Sequence, residues 1–492
     1  MLVCVCNVPT RLPGAPQDSL TRIGPLSGDK RETPGVDPST LVFELQQLVG
    51  PEHVLADADA VAGYCVDWTG RFRGATPAVV RPGSTVEVAT VVEWCARHRV
   101  ALVPQGGNTG LVGGGVPLSG EVALTTSRLR MLGEVDVVAG QVTVGAGATL
   151  EAVQTHVAPS GLEVAVDLGA RGSATIGGMV ATNAGGTRVL RHGPMRAQVL
   201  GVEAVLGDGS VISHLGGLLK DNTGYDLAGL LCGSEGTLGI VTAVRLRLVP
   251  TLPQVATVLL ALDDARSAVA VAGAARSSPA LQAAELFFAD GLDLVTEHLD
   301  LPAPFGARHA AFVLLEAAST NDPLDELLPA LEPVGDLVRD TAVATSSTAR
   351  AELWRHREAH TEAINARGVP RKLDVTLPLA ALASFCEEVR DVVRSVAPAA
   401  ETFLFGHVGD GNVHVNVVGI DDAAVDALDD AVLGLVTARG GSISAEHGIG
   451  TAKRRHLHLG RSDAEIEAFR RIKGALDPAG ILNPNVLLPA TR

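Results

Sequence analysis

The chain has 492 residues, of which 46% are hydrophobic and 19% are charged, and its formal net charge at pH 7 is -16. This balance is typical of a folded globular protein, and at roughly 100–200 residues per domain the length predicts about two to four domains. The acidic character argues against nucleic acid or an anionic membrane as a partner, because both favour basic surfaces. No apolar run approaches the ~18 residues that a membrane span needs, so we expect a soluble protein.

Cysteine usage and the N-terminal segment indicate the compartment. The six cysteines are scattered, with no C-x-x-C pair and no iron–sulfur ligand set, which is typical of reduced thiols and predicts a cytoplasmic location. The first 36 residues are rich in Pro, Gly, Ser and Thr, and they lack the features of a signal or transit peptide. We therefore expect a disordered N-terminal extension over residues 1–36.

The first predicted elements are two helices and several short strands. Helical spacing in PSTLVFELQQLVG predicts a first helix capped by Ser39 or Thr40, and STVEVATVVEWCARHRV predicts a second. The apolar segments PAVV and ALVPQ, on either side of the second helix, are predicted strands. From about residue 100 to residue 250, short Val/Ile/Leu strands alternate with glycine clusters, which indicates a sheet-rich domain.

The remainder of the chain has a different pattern. After the proline-bearing linker VPTLPQ, strands such as HAAFVLLEA and NVHVNVV alternate with helices such as LASFCEEVRDVVRSVA, and this predicts a second domain of the α+β class. The last segment contains a helix, a Pro-Gly turn and a short extended end. The predicted division is a first domain at 37–250, a second at 251–450 and a C-terminal segment at 451–492.

Two histidines and two asparagines surround a Gly-Asp-Gly turn in HVGDGNVHVN, residues 407–416. In the strand that follows the turn, alternation places His414 and Asn416 on one face and the neighbouring valines on the other. A turn through GDGN would bring His407 back beside them. Such residues also occur in ordinary turns, but two imidazoles and a carboxylate form a common metal set. Glu446, in the glycine-bounded loop SAEHGIG, is a candidate third ligand, although Glu446 and His447 could also be a solvated pair.

A second polar group lies in WRHREAHTEAINARGVPRKLDVTLP. On a helix, Arg357 and Thr361 are four residues apart and share a face, and Lys372 begins the strand that follows. An arginine fork and a lysine charge both bind carboxylates, although an isolated charged residue is more often simply exposed. An acidic protein needs such a local basic group if its substrate is an anion.

Four glycine-rich loops in the first domain are suited to presenting backbone N–H groups to phosphate oxygens. One cluster alone indicates only a tight turn, and no G-x-G-x-x-G motif opens a helix at the Rossmann offset. Together, however, PQGGNTGLVGGGVP, GSATIGGMVATNAGG, DNTGYDLAGLLCGSEGTLGIVTAV and the closing DPAGILNP resemble the FAD-binding domain of the vanillyl-alcohol oxidase or p-cresol methylhydroxylase (PCMH) family. Within that family, these segments most resemble the FAD-dependent D-2-hydroxyacid dehydrogenase branch. The resemblance covers the chain from about residue 40 to the end.

The resemblance implies an α+β fold. A PCMH-type FAD-binding domain would be followed by an α+β substrate (cap) domain that also holds a metal, and the C-terminal segment would return to the FAD domain near the flavin. The resemblance also implies non-covalent FAD, because Gly107-Asn108 stands where covalently flavinylated relatives carry a histidine. The segment NPNVLLP departs from the family's NPGKVLP and lacks its lysine. The implied FAD contacts are Gln105, Gly106, Gly107, Asn108, Thr109 and Gly110 at the pyrophosphate, Ser173, Gly177, Gly178, Thr182 and Asn183 at the isoalloxazine and ribityl side, Glu235, Gly236 and Ile240 at the adenine half, and Asn483 from the C-terminus.

The resemblance also implies a reaction, since GHVGDGNVHVNV and AEHGIG match the pattern of the same branch. The implied ligands of zinc, or of another divalent ion, are His407, His414 and Glu446. The implied substrate contacts are Arg357, Thr361, Lys372 and Asn416. A D-2-hydroxy acid, with D-2-hydroxyglutarate the best match, would lose its metal-acidified hydroxyl proton to His447 and a hydride to flavin N5, yielding the 2-oxo acid.

Several alternatives stay open at this point. The substrate could be D-lactate or glycolate, or the chain could be a FAD electron-transfer subunit of a larger complex, although HTEAI and KLDVTLP favour D-2-hydroxyglutarate. Because the chain has no iron–sulfur ligands, the electron acceptor is expected to be external: an electron-transfer flavoprotein, a quinone system, a partner subunit or oxygen. A homodimer is compatible with the sequence.

Overall fold

The first four strands form a mixed sheet beside the N-terminal helices in the computed structural model, which describes residues 36–489. The extension predicted for residues 1–36 lies outside this range except for its last residue. The strands are β1 (Val54–Leu55), β2 (Val79–Val80), β3 (Leu102–Gln105) and β4 (Val122–Thr125), in the spatial order β1-β2-β4-β3. The helices that accompany this sheet are α1 (Pro38–Val49), α2 (Ala58–Val61) and α3 (Thr85–His98). Buried leucines and valines of α1 and α3 pack against the sheet.

Helix α1 does not have the predicted cap. Asp37 is its N-cap, and the Asp37 carboxylate accepts hydrogen bonds from the backbone N–H groups of Ser39 and Thr40. The helix therefore begins two or three residues earlier than predicted, and Pro38 occupies the first helical position, where its missing N–H has no cost. The predicted caps Ser39 and Thr40 are thus donors to the actual cap.

A second, fully antiparallel sheet follows. Its strands are β5 (Leu132–Asp136), β6 (Gln141–Gly145), β7 (Leu162–Val164), β8 (Val199–Val205), β9 (Val211–His214) and β10 (Ile240–Pro250). The spatial order is β5-β6-β10-β8-β9, and β7 pairs with the end of β10. The helices of this part are α4 (Leu150–Val157), α5 (Ile176–Thr182), α6 (Val189–His192), α7 (Met195–Gln198) and α8 (Leu227–Leu231). Loops around α5 and before β10 carry two of the glycine clusters.

The third sheet is antiparallel throughout and has the spatial order β14-β11-β13-β12-β16-β17-β15. Its strands are β11 (Gln254–Leu262), β12 (Leu281–Phe288), β13 (Ala311–Ser319), β14 (Val338–Ala344), β15 (Arg371–Thr376), β16 (Glu401–Gly406) and β17 (Asn412–Val418). The helices are α9 (Ala265–Ala275), α10 (Ala289–Leu299), α11 (Pro323–Leu331), α12 (Ser347–Glu358), α13 (His360–Arg367), α14 (Leu379–Val396) and α15 (Val425–Ala438). One face of the sheet packs on α9, α14 and α15, and the other packs on α10 and α13.

The C-terminal segment returns to the first sheet. After α16 (Leu457–Gly460) and α17 (Asp463–Leu476), the Leu102 N–H of β3 donates to the carbonyl of Ile481, and the Asn483 N–H donates to the carbonyl of Leu102, both at 2.8 Å. Ile481 and Leu482 are buried in the core of that sheet. Within residues 36–489, no helix combines the length and the apolar character that a bilayer crossing requires.

Candidate active site

A cavity of about 800 Å³ is lined by the glycine-rich loops on one side and by polar side chains of the third sheet on the other. Cofactor and ligand sites usually have volumes of about 300–1,000 Å³. The predicted FAD contacts on the cavity wall are Gln105, Gly106, Gly107, Asn108, Thr109, Gly110, Ser173, Gly177, Gly178, Thr182, Glu235, Gly236 and Ile240. The predicted substrate, metal and base residues line the same cavity: Arg357, Thr361, Lys372, Asn416, His407, His414, Glu446 and His447. The fold thus brings the two predicted groups together.

Two glycines show that the loop walls fit a cofactor. A Cβ atom at Gly107 would lie 1.8 Å from the carbonyl oxygen of Ser173, so these two loops approach too closely for any side chain. A Cβ atom at Gly110 would meet no protein atom within 4 Å, so a side chain there would project into open space beside the loop. A wall of accessible backbone suits a ligand that carries phosphates, and the residues present therefore fit FAD.

Two predicted FAD contacts lie behind the cavity wall. Asn183 ends helix α5 with φ +50°, and its Oδ1 accepts a hydrogen bond from the backbone N–H of Arg196. Asn483 is buried, and its Nδ2 donates to the carbonyl oxygens of Gly114 and Glu235. Neither side chain lines the cavity, in contrast to the prediction. Asn483 instead supports the loops that form the wall, because its amide satisfies their carbonyl groups, whereas Asn183 joins the end of α5 to α7.

Three imidazoles face one carboxylate oxygen in the polar part of the cavity. His407 follows β16, His414 lies in β17, and His447 lies in the loop after α15. Their Nε2 atoms lie 3.7, 3.8 and 3.8 Å, respectively, from Oε1 of Glu446. The predicted alternation is present, since Val413 and Val415 are buried in the core while His414 lines the cavity. The GDGN turn brings the rings of His407 and His414 within 5.4 Å of each other, centroid to centroid.

The opposite edge of each imidazole faces a buried carboxylate. His407 Nδ1 lies 2.7 Å from Oε1 of Glu285, His414 Nδ1 lies 3.3 Å from Oδ1 of Asp374, and His447 Nδ1 lies 3.8 Å from Oδ2 of Asp374. The His407 contact is a hydrogen bond, and a carboxylate bonded behind an imidazole in this way fixes the ring and its tautomer and leaves Nε2 free to bind a metal. The cluster therefore has both the inner and the outer groups of a metal site.

The donor set fits a divalent metal. Asp374, His414, Glu446 and His447 each place one donor atom within 4.8 Å of the others. His407 lies outside this group, but its Nε2 faces the same Glu446 oxygen. Donor atoms that share a zinc ion, each at about 2.0–2.2 Å from it, are farther apart than hydrogen-bonded atoms. The distances of 3.7–3.8 Å between Oε1 of Glu446 and the three imidazole Nε2 atoms meet that condition.

The cluster's charges distinguish its histidines. Burial disfavours a charge on His407, but Glu285 and Glu446 outweigh it and raise the pKa of this imidazole well above its usual value, so a metal that binds its Nε2 would have to displace a proton. For His447 the effect of burial prevails, and its pKa is lowered. His447 is therefore neutral at pH 7 and able to accept a proton.

The two predicted cations differ in how their charge is balanced. The Nε and one terminal nitrogen of Arg357 lie 2.8 and 2.7 Å from Oε2 of Glu285, and the guanidinium stacks 4.6 Å from the ring centroid of Phe405. Lys372 has no ion-pair partner within residues 36–489, and its Nζ lies 5.6 Å from the ring centroid of Trp68. Burial lowers the pKa of Lys372 to about 8. Lys372 is thus a cation of the cavity wall that has no counter-ion in the described part of the chain.

The helix predicted to carry Arg357 and Thr361 is interrupted. Helix α12 ends at Glu358 and α13 begins at His360, with Ala359 between them. Both predicted residues still line the cavity, because the two short helices follow each other with helical backbone angles at Ala359. Arg357 and Thr361 therefore lie on either side of a junction between two helices and not on one face of a continuous helix.

Glu285 and Asp374 were not predicted from the sequence, although each left a signal. Asp374 is two residues after Lys372, and strand alternation places both on the same face of β15. Glu285 is the one charged residue in the apolar segment LQAAELFF, and such a charge is rarely buried without a functional or structural partner.

We expect Glu285→Ala to lower the free energy of unfolding by about 3–5 kcal/mol, because it leaves Arg357 and His407 buried without their counter-ion. Urea unfolding followed by circular dichroism measures this loss. The control is Glu401→Ala, which breaks a pair with Arg367 in which both side chains are about half exposed and should change stability little. Equal losses in the two variants would contradict the role assigned to Glu285.

Comparison with known proteins agrees with this geometry. Residues 76–214 match the family described as FAD binding domain, and residues 252–487 match the C-terminal domain of FAD linked oxidases. The chain is 36% identical over 459 residues to the mitochondrial D-2-hydroxyglutarate dehydrogenase of Arabidopsis thaliana, covering 91% of this chain and 81% of the relative. It is 38% identical over 456 residues to the D-2-hydroxyglutarate dehydrogenase of Xanthomonas citri pv. viticola, covering 91% and 96%.

The solved structure of p-cresol methylhydroxylase superposes with a TM-score of 0.72 at 16% identity, covering 91% of this chain and 96% of the other. The fold and the cavity thus define a flavoprotein of the PCMH type, as predicted. This chain is a FAD-linked oxidoreductase. It belongs to the D-2-hydroxyglutarate dehydrogenase family, which confirms the family and the α+β fold class expected from the sequence.

Proposed function

We propose that this protein oxidises D-2-hydroxyglutarate to the 2-oxo acid, with a divalent metal, zinc by preference, at the histidine cluster. The supporting observation is that one cavity joins the glycine-walled cradle to three imidazoles, Glu446 and the unpaired Lys372. Bound FAD supplies the acceptor for two electrons, and a bound divalent ion supplies a Lewis acid that makes a hydroxyl more acidic. The glycine loops would hold FAD, and the divalent ion would be held by His407, His414 and Glu446.

His447 is the proposed base. Glu285 holds the ring of His407 by a 2.7 Å hydrogen bond, which suits a fixed metal ligand. His447 lies 3.8 Å from its nearest carboxylate behind the ring, so it is less tightly held. With its pKa lowered by burial, His447 takes the proton of the substrate hydroxyl at Nε2.

The two cations favour a dicarboxylate substrate. Lys372 offers an unpaired ammonium, and Arg357 retains N–H donors because Glu285 takes only one edge of its guanidinium. Thr361 and Asn416 would position the substrate through hydrogen bonds. D-Lactate and glycolate, the alternative substrates, each carry one carboxylate and would leave one of these cations without a partner.

Anaerobic reduction of the bound flavin tests this function. D-2-Hydroxyglutarate, L-2-hydroxyglutarate, D-lactate and glycolate are added separately to the metal-loaded protein, with and without a chelator, while flavin absorbance is followed. Fast, chelator-sensitive bleaching by D-2-hydroxyglutarate supports the proposal. Faster bleaching by D-lactate or glycolate would favour those substrates, and no bleaching by any acid would favour an electron-transfer subunit.

The pH dependence of kcat/KM provides a second test. Lys372 is charged below its pKa of about 8 and neutral above it, so substrate binding weakens as the pH rises through 8. His447 is protonated only below the usual histidine value of ~6.5, where it ceases to be a base. We expect a bell-shaped profile with its alkaline limb near pH 8. Lys372→Arg, which stays charged, should move that limb out of range, and a limb that persists near pH 8 would contradict the assignment.

The remaining proposals concern organisation and partners. The electron acceptor would be an electron-transfer flavoprotein, a quinone system or a partner subunit. A FAD domain at 37–250, a cap domain at 251–450 and a C-terminal segment at 451–492 are proposed as the functional units. The cytoplasmic location and the homodimer stay predictions.

A further inference from the structure

The loop at residues 445–450, which carries Glu446 and His447, is held through its backbone by two buried carboxylates. The N–H groups of Ala445, Glu446 and His447 donate to Oδ2 of Asp374 at 3.1, 2.8 and 2.9 Å. The N–H groups of Ile449 and Gly450 donate to Oε1 and Oε2 of Glu235 at 2.8 and 2.7 Å. Hydrogen bonds to charged acceptors are about twice as strong as neutral ones, so the loop has little freedom.

The two carboxylates come from opposite sides of the cavity. Asp374 lies in β15 of the third sheet, whereas Glu235 lies in the loop before β10, next to Gly236 of the proposed FAD cradle. Lys453 is buried near both, and its Nζ donates to the main-chain carbonyl of Asp374 at 3.1 Å. Its positive charge offsets the cost of burying the two carboxylates.

The side chain of Glu446 is oriented from the FAD side as well. Its Oε2 accepts a hydrogen bond from the backbone N–H of Gly186 at 2.9 Å, which leaves Oε1 directed to the three imidazoles. Asp374 also accepts, through Oδ1, a hydrogen bond from Nδ2 of Asn412. Both oxygens of Asp374 therefore accept hydrogen bonds within the protein, so Asp374 supports the loop in addition to offering a donor atom near His414, Glu446 and His447.

We propose that Asp374 and Glu235 are positioning residues that form a carboxylate clamp on loop 445–450. The clamp fixes Glu446 and His447 at the cavity and ties their loop to the FAD cradle through Glu235. This inference rests on the proposed function for the roles of Glu446 and His447. It differs from the sequence prediction for Glu235, because both of its carboxylate oxygens are engaged by the loop.

Asp374→Asn and Glu235→Gln, singly and together, test the clamp. Each variant is freed of metal and titrated with Co²⁺, whose visible absorption reports both affinity and ligand geometry, and the ratio of FAD to protein is measured. We expect Co²⁺ affinity to fall about 10–100-fold, as for other groups that support metal ligands, with an altered spectrum and unchanged FAD content. The losses should be non-additive, because both residues act on one loop.

The matched control is Asp477→Asn. Asp477 is also buried, accepts the backbone N–H groups of Ile481 and Leu482, and pairs with Lys473, but it does not line the cavity. The Co²⁺ affinity and the Co²⁺ spectrum of Asp477→Asn should equal those of the wild type.

Two results would overturn the clamp. The first is that both single variants bind Co²⁺ with the affinity and spectrum of the control. The second is that Glu235→Gln loses FAD while its Co²⁺ binding is unchanged. If Asp374→Asn fails to fold, Glu235→Gln decides the question from the other side of the loop. Failure of the proposed function is distinguishable, because it appears in the wild type as flavin that no 2-hydroxy acid reduces.

Discussion

Replacing His447 by asparagine is expected to slow the reduction of bound flavin by D-2-hydroxyglutarate by about 10²–10⁴-fold, the usual contribution of a general base. Asparagine retains a hydrogen-bonding side chain but cannot take up a proton near neutral pH. Because the groups proposed to hold substrate and FAD stay in place, KM and FAD content should change little. Anaerobic stopped-flow absorbance measures the rate, and the acid limb of the pH profile should disappear with it.

The control for this variant is His456→Asn. His456 is buried, and its Nε2 lies 2.7 Å from Oδ1 of Asp430, but it does not line the cavity. This variant therefore loses a pair between a buried histidine and an exposed carboxylate without touching the site. A His447→Asn enzyme that reduces flavin as fast as the control would exclude His447 as the base.

Lys372→Met is expected to reduce kcat/KM for D-2-hydroxyglutarate by about 30-fold or more. Losing one partner of a buried charge pair costs about 2–5 kcal/mol, and about 1.4 kcal/mol corresponds to a tenfold change. Methionine retains an apolar side chain of similar length and removes the ammonium, which lies over the Trp68 ring. The loss should appear chiefly in KM, because the proton-accepting group is unchanged, and steady-state rates at several substrate concentrations separate the two parameters.

Comparing substrates sharpens this prediction. If Lys372 binds the distal carboxylate, the variant should lose much more activity towards D-2-hydroxyglutarate than towards D-lactate, which has none. Equal losses would place Lys372 at the carboxylate that both acids share. Lys220→Met, which removes an exposed lysine, is the control. Unchanged KM in Lys372→Met would contradict a substrate contact.

Much of the candidate site was predictable because its residues obey local rules. Strand alternation alone placed His414 and Asn416 on one face, and the GDGN turn accounted for the return of His407. Glycine loops are also a local signal, since residues such as Gly110 have no side chain that could block the approach of a ligand to the backbone. The short segments that carry these features do not depend on distant partners for their conformation.

Other residues obtain their role only from contacts made across the fold. The sequence signals at Asp374 and Glu285 do not identify their partners, which are histidines from different segments. The cap at Asp37 and the break at Ala359 were missed for a related reason, because neighbouring residues compete for the same position and small differences in hydrogen bonding decide between them.

The amino-acid sequence by itself predicted the family and the α+β class through its resemblance to known flavoproteins, and strand alternation and the glycine-rich loops grouped residues such as His414 and Asn416. Only the tertiary structure decided which charges are free and which are balanced. Lys372 has no counter-ion in the described chain, Arg357 shares Glu285 with His407, and Glu235 supports a loop more than 200 residues away. Such pairings depend on distances between separate segments, and those distances are set by the packing of the whole chain.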